Sequence, residues 1–164
     1  MKARPSALLM LTTLLVAALL DILPLTAPVA HWRPDWLALT VLYWCLAAPQ
    51  RFNIGSAWLA GLMLDLLLGG LLGQHALAMI VMAYPAVRLS AQFPLFSVLQ
   101  QLLLVAAALA LYRGMLMWIY GVSGAGPLDW AFWAPLVSNV LLWPWLDFGL
   151  RRLLRRGARE TAGL

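Results

Sequence analysis

The eleven lysines and arginines of this chain are sorted by side. Once the sequence is cut into its apolar stretches, nearly all of them fall on every second junction, the pattern of a chain threaded back and forth through a bilayer. Composition leaves little alternative. With 64% hydrophobic and 10% charged residues in 164 positions, there is too little polar surface to wrap a soluble domain of this size.

Six apolar stretches read as helices, at about 6–23, 35–48, 54–70, 74–88, 96–120 and 131–150, followed by a basic tail over 151–164. The expectation is a single integral membrane domain, an all-α bundle of six transmembrane helices. The second stretch, at about 14 residues, is short of the ~20 needed to span, so it must use its Trp32 to Pro34 lead-in or sit where the bilayer is thin. With the N-terminus inside, Lys2, Arg4, Arg51, Arg88, Arg151, Arg152, Arg155, Arg156 and Arg159 are all cytoplasmic, Arg33 is outside, and Arg113 lies within a helix. That asymmetry sets an N-in, C-in orientation. Tryptophans fall toward both interfaces: Trp32, Trp36, Trp118, Trp130 and Trp133 outside, Trp44, Trp58, Trp143 and Trp145 inside. A cleavable signal peptide is the poorer reading of the first stretch, because the run is long, Asp21 interrupts it, and Pro28-Val29-Ala30 makes a weak cleavage site. The pI of 10.2 follows from inside-positive loops and tail, so no nucleic-acid partner is implied. Arg151, Arg152, Arg155 and Arg156 repeat as they would on a helix lying on anionic lipid.

Catalytic and metal-binding signatures are missing, and neither cofactor nor metal is expected. Gly121-Val122-Ser123-Gly124 imitates the Gly-x-Ser-Gly of intramembrane serine proteases, but it falls in a Gly-rich loop read over 121–130 and no histidine follows to act as base. His31 and His75 stand alone near the outer interface, as solvated or capping residues. Cys45, the single cysteine, reads as a small packing group.

The third helix is the unusual one. Ala57, Gly61, Asp65, Gly69 and Gly73 recur every four residues, a stripe that is small at every position except one carboxylate. Small stripes let backbones approach closely in lipid. Ala106, Ala110 and Gly114 form a matching stripe on the fifth helix, beside Arg113, which suggests that the two pack together. Asp65 lies about 8 Å, and Arg113 about 10 Å, from the outer ends of their helices, so the two charges are level. A charge at that depth needs a partner or a cavity. Arg113 has Asp65 or Asp21 to choose from, or its long stem snorkels outward. Asp65 is either a hydrogen-bonded structural carboxyl or a ligand or ion site. In the sixth helix, Asn139 is available for an interhelical hydrogen bond, Pro144 should bend the backbone, and Asp147 pairs locally with Arg151 four residues on.

Several segments, taken in order, resemble the rod shape-determining protein MreD family. They are Arg33-Pro34-Asp35-Trp36; Leu42-Tyr43-Trp44; Pro49, Arg51, Asn53 and Gly55 at the inner turn; Gly61, Asp65 and Gly69 with Leu72, Gly73 and Ala76 to Met79; and Asn139 with Leu141 to Trp145. The likeness runs from about residue 31 to 148 and fits the short proteobacterial form; the fifth helix adds little, and Arg113 is not carried over by it.

What the resemblance implies is a non-enzymatic inner-membrane subunit of the bacterial cell-elongation complex. Such a subunit would bind the membrane helix of MreC and, through it, MreB, the glycosyltransferase RodA and its class B transpeptidase. The family is also similar in helix plan to the substrate-binding subunits of energy-coupling-factor transporters, an analogy that confers no ligand by itself. The alternative is a subunit that binds or transports a small molecule or lipid-linked precursor at the Asp65 region. Short, apolar outer loops without a polar cluster argue against it. For partner contacts the candidates are Arg33 as an exposed charge, Trp36 and Trp143 as large rigid surfaces, and Asn139 as a hydrogen-bonding group.

Overall fold

The computed structural model describes residues 6–24, 31–124 and 129–162, with side chains described as far as Arg155 in the last helix. Among the described residues six α-helices follow in order: α1 (Ala7–Ile22), α2 (Trp36–Ala47), α3 (Ile54–Leu68), α4 (Gln74–Leu89), α5 (Val98–Ser123) and α6 (Ala134–Ala162). Short 3-10 turns at Phe93–Leu95 and Trp130–Trp133 precede α5 and α6.

Local chemistry sets several of the ends. Ser6 and Asn53 accept backbone N–H bonds at the starts of α1 and α3, and Ser97 with Gln100 forms a reciprocal capping box at the start of α5. Gly69 and Gly124 take left-handed conformations, φ 66° and 69°, and their N–H groups donate to the carbonyls of Asp65 and Tyr120 to close α3 and α5. The expected loop from 121 therefore starts later. Gly121, Val122 and Ser123 are helical, and the Ser123 hydroxyl donates to the Tyr120 carbonyl; positions 125–128 of that loop lie outside the described residues. The basic tail continues α6 in one helix to Ala162. Asp147 and Arg151 pair as expected at 2.7 Å, while the side chains of Arg156 and Arg159 lie outside the described residues.

The shortest helix is the core. α2 has only 12 residues, is apolar on every side, and buries all from Leu37 to Leu46, the condition of a helix surrounded by others. Each of the other five helices touches it. At one end of the bundle Tyr43 of α2, Phe93 and Trp143 of α6 stack as a buried aromatic group, with ring centroids 6.3 Å apart for both Tyr43–Trp143 and Phe93–Trp143. Deeper in, the Trp44 indole N–H donates to the Thr13 hydroxyl of α1 at 3.0 Å.

The small stripe of α3 meets α4, not α5. A Cβ at Gly61 would come within 2.6 Å of the Ala76 amide nitrogen and 2.8 Å of the His75 carbonyl carbon, so the two backbones touch there. The rest of the stripe has other work. Gly69 and Gly73 carry positive φ and have no neighbour within 4 Å of where a Cβ would stand, which makes them turn residues; Gly114 on α5 is equally open. Among the described residues, α5 is the one helix long and apolar enough to cross a membrane by itself.

Candidate functional site

Two helices begin at the same end of the bundle without a side-chain cap of their own. An uncapped helix leaves up to four N–H groups without partners, costly wherever water is excluded. α2 starts at Asp35, whose side chain does not cap, and α4 starts at Gly73, which has no side chain. In both cases a carboxylate from the preceding helix supplies the acceptor.

Asp21, near the end of α1, receives the N–H groups of Trp36 and Leu37 at 3.0 and 2.8 Å. Asp65, 1% exposed on α3, receives those of Gly73, His75 and Ala76 at 2.8, 3.0 and 3.4 Å, and the His75 ring through Nδ1 at 2.7 Å. Gly69 and Gly73 make this possible: one ends α3 one turn beyond Asp65 and the other turns the chain back, so that the N-terminus of α4 faces the carboxylate. Both carboxylates also stand where the positive end of a helix dipole favours them.

The charge on α5 finds a different partner from those expected. Arg113 grips Asp35 through Nε to Oδ2 at 3.0 Å and Nη2 to Oδ1 at 2.6 Å, a bidentate pair of the strong kind. Its Nη1 donates to the Phe132 carbonyl at 3.1 Å, and the guanidinium lies 5.0 Å from the Phe132 ring centroid. Asn139 completes the lock from α6: its Nδ2 donates to Asp35 Oδ2, and its Oδ1 accepts the Asp35 N–H, both at 2.9 Å. One carboxylate thus joins α2, α5 and α6. Neither an Asp65–Arg113 nor an Asp21–Arg113 pair forms, and Arg113 is buried against Asp35 and Phe132 instead.

The sequence candidates fall mostly inside this assembly. Arg33 is half-buried, donating to the Leu20 carbonyl at 2.9 Å, and is not an exposed charge. Asn139 is fully buried and Trp143 nearly so, while Trp36 is half-buried. His75 is not solitary, being enclosed and tied to Asp65. Sequence reading gave no site role to Asp35, His75 or Tyr112. The one legible signal was at 73, where a helix starts at a glycine with no side chain to cap it and so calls for a remote acceptor, whereas Asp35 reads in sequence as a cap for its own helix.

These side chains surround an open cavity of about 440 Å³, lined by Asp21, Arg33, Asp35, His75, Tyr112 and Arg113 among others. A polar cluster therefore exists at this end, against the expectation from the short outer loops. Among the described residues no three His, Cys, Asp or Glu side chains gather as metal ligands.

No solved structure matches the chain. The rod shape-determining protein MreD of Haemophilus influenzae is 30% identical over 146 residues, 89% of this chain and 90% of the relative. The family model described as rod shape-determining protein MreD matches residues 2–153, and so takes in α1 and most of α6 as well as the segments whose likeness was legible. Over nearly its whole length, the chain belongs to the rod shape-determining protein MreD family.

Proposed function

We propose that the chain is a six-pass, N-in/C-in inner-membrane scaffold of the cell-elongation complex, which holds the membrane helix of MreC and thereby MreB, RodA and its transpeptidase at one place. As a member of its family it takes part in rod-shape determination without catalysing a reaction. The observation that carries the scaffold reading is where the polar groups go: Asp21, Asp35, Asp65, Arg113 and Asn139 are engaged in fastening helices to one another. The large side chains left outside, such as Leu11, Leu59, Leu103 and Leu141, are apolar. That suits contact with lipid and membrane helices.

Length supports the six-pass reading once α2 is seen in place. At about 18 Å it is too short to span alone, but a sheath of five helices covers it, and non-helical backbone at membrane depth is tolerated where protein surrounds it. The basic residues Arg51, Arg88, Arg151, Arg152 and Arg155 lie toward the opposite end from the Asp35 lock, as an inside-positive arrangement requires.

For MreC, an apolar groove of about 680 Å³ between α1 and α6 offers the best seat. Trp36, a candidate from the sequence, lines it together with Trp145. It reaches from Leu9 to Leu20 on α1, about 17 Å or three helical turns, and Gly149 leaves a gap, with no heavy atom within 4 Å of where its Cβ would stand. A single apolar helix fills such a space by packing alone. Recovery of MreC with the tagged chain tests this: Gly149→Leu should fill the gap and lower recovery while the chain still inserts and folds. Undiminished recovery with both Gly149→Leu and Trp145→Ala would place the contact elsewhere.

A further inference from the structure

The cavity beside the Asp35 lock keeps hydrogen-bond donors that the protein itself does not use. Three carboxylates line it, and each is engaged by N–H groups: Asp21 and Asp35 through both oxygens, and Asp129 through Oδ1 to the Trp130 N–H. Arg113 uses three of its five N–H groups, counting Nε, Nη1 and Nη2 once each. Arg33 is held through one nitrogen only, at the Leu20 carbonyl.

Tyr112 points the same way. The residue is 1% exposed and its hydroxyl makes no hydrogen bond, yet no solvent-excluded side-chain nitrogen or oxygen among the described residues lacks a partner. The hydroxyl therefore opens into the cavity that Tyr112 lines. By the same reasoning Nε2 of His75 faces it, since Asp65 holds the ring through Nδ1. With little accessible surface and no protein partner, the phenol hydroxyl is left to pair with whatever occupies the cavity.

We propose that this cavity binds a phosphate group. Arginine N–H pairs match the oxygens of a phosphate, the Tyr112 hydroxyl adds a neutral donor, and Nε2 of His75 accepts from a P–OH or, in the protonated ring, donates to an oxyanion. The opening admits either a soluble phosphate or the headgroup phosphate of a lipid whose chains stay outside. The site goes beyond the scaffold reading and does not depend on it.

Two conservative variants isolate the site. Tyr112→Phe removes only the hydroxyl, and His75→Asn keeps a nitrogen near the Nδ1 position to bond Asp65 while deleting Nε2. The full chain, delipidated in detergent, is titrated with inorganic phosphate by ³¹P NMR, and separately with phosphatidylglycerol or a phosphate-free glycolipid by native mass spectrometry. Binding of phosphate or of phosphatidylglycerol but not the glycolipid, about tenfold weaker in each variant, is the expected result. Saturation by inorganic phosphate identifies a soluble ligand as sufficient, and binding of the lipid alone identifies a headgroup. Binding of neither probe, equal binding of the glycolipid, or unchanged affinity in both variants overturns the proposal. MreC recovery is measured on the same variants and should stay at the wild-type level, so that loss of the phosphate site is told apart from failure of the scaffold.

Discussion

Replacing Asp65 by asparagine is a change of one atom, and the structure gives it a large effect. All four contacts of the carboxylate are with nitrogens that can donate: Gly73 and Ala76 at Oδ2, and the His75 backbone and ring at Oδ1. An asparagine keeps one accepting oxygen. If that oxygen stays with His75, the new NH₂ faces the Gly73 N–H across 2.8 Å, donor against donor. If it turns to Gly73, the NH₂ faces the His75 N–H across 3.0 Å. Either way a buried amide N–H is left unpaired, at about 1–3 kcal/mol. Loss of the negative charge at the N-terminus of α4 adds about 0.5–2 kcal/mol, so the sum is about 1.5–5 kcal/mol. Equilibrium unfolding in mixed micelles, followed by tryptophan fluorescence, measures it. Asp147→Asn is the internal reference, because its pair with Arg151 is partly exposed and should cost under about 1 kcal/mol. An Asp65→Asn protein within about 0.5 kcal/mol of wild type would refute this role, since a carboxylate whose two oxygens each accept a buried N–H cannot be exchanged that cheaply for an amide with one accepting oxygen.

Three further outcomes follow from the same geometry. Gly61→Ala should cost about 1–3 kcal/mol in the same assay, because backbone atoms of α4 stand where the methyl would go, whereas Gly114→Ala, with open space around it, should be neutral or slightly stabilising. Asp35→Asn should lose about 3–5 kcal/mol by stranding the Arg113 guanidinium, and adding Arg113→Gln should restore part of that loss; a strictly additive double mutant would deny the pair. Reporter fusions after residues 51, 90 and 160 should read cytoplasmic and those after 72 and 125 periplasmic, and a periplasmic C-terminal reporter would rule out six crossings.

Much of the frame was readable in one dimension. Apolar runs and their punctuation lie within a few residues of the ends of α1 to α5, because Asn53, Gly69 and Ser97 act on neighbours along the chain, whereas α6 runs on to Ala162, well past the expected end near 150. The Asp147–Arg151 pair is legible for the same reason, since four residues on a helix bring two side chains onto one face whatever surrounds them. Family membership followed from the order and spacing of short segments.

Which charges meet was decided only in three dimensions. Residue counting gives the depth of a group along its helix, and by depth Asp65 and Arg113 were well matched. Depth is one coordinate, and a contact also requires that two helices be neighbours and turn the right faces toward each other. α4 packs on both α3 and α5, so it takes the small stripe at Gly61 and the Asp65 carboxylate for its own N-terminus. Arg113 is left facing α2 and α6, where Asp35 and Asn139 wait. Tyr112, one residue before Arg113 and indistinguishable in sequence from a packing aromatic, acquires its open hydroxyl from the same arrangement. In lipid, packing chooses helix neighbours, and packing depends on the shape of whole faces, which no local pattern in a sequence of leucines and alanines specifies.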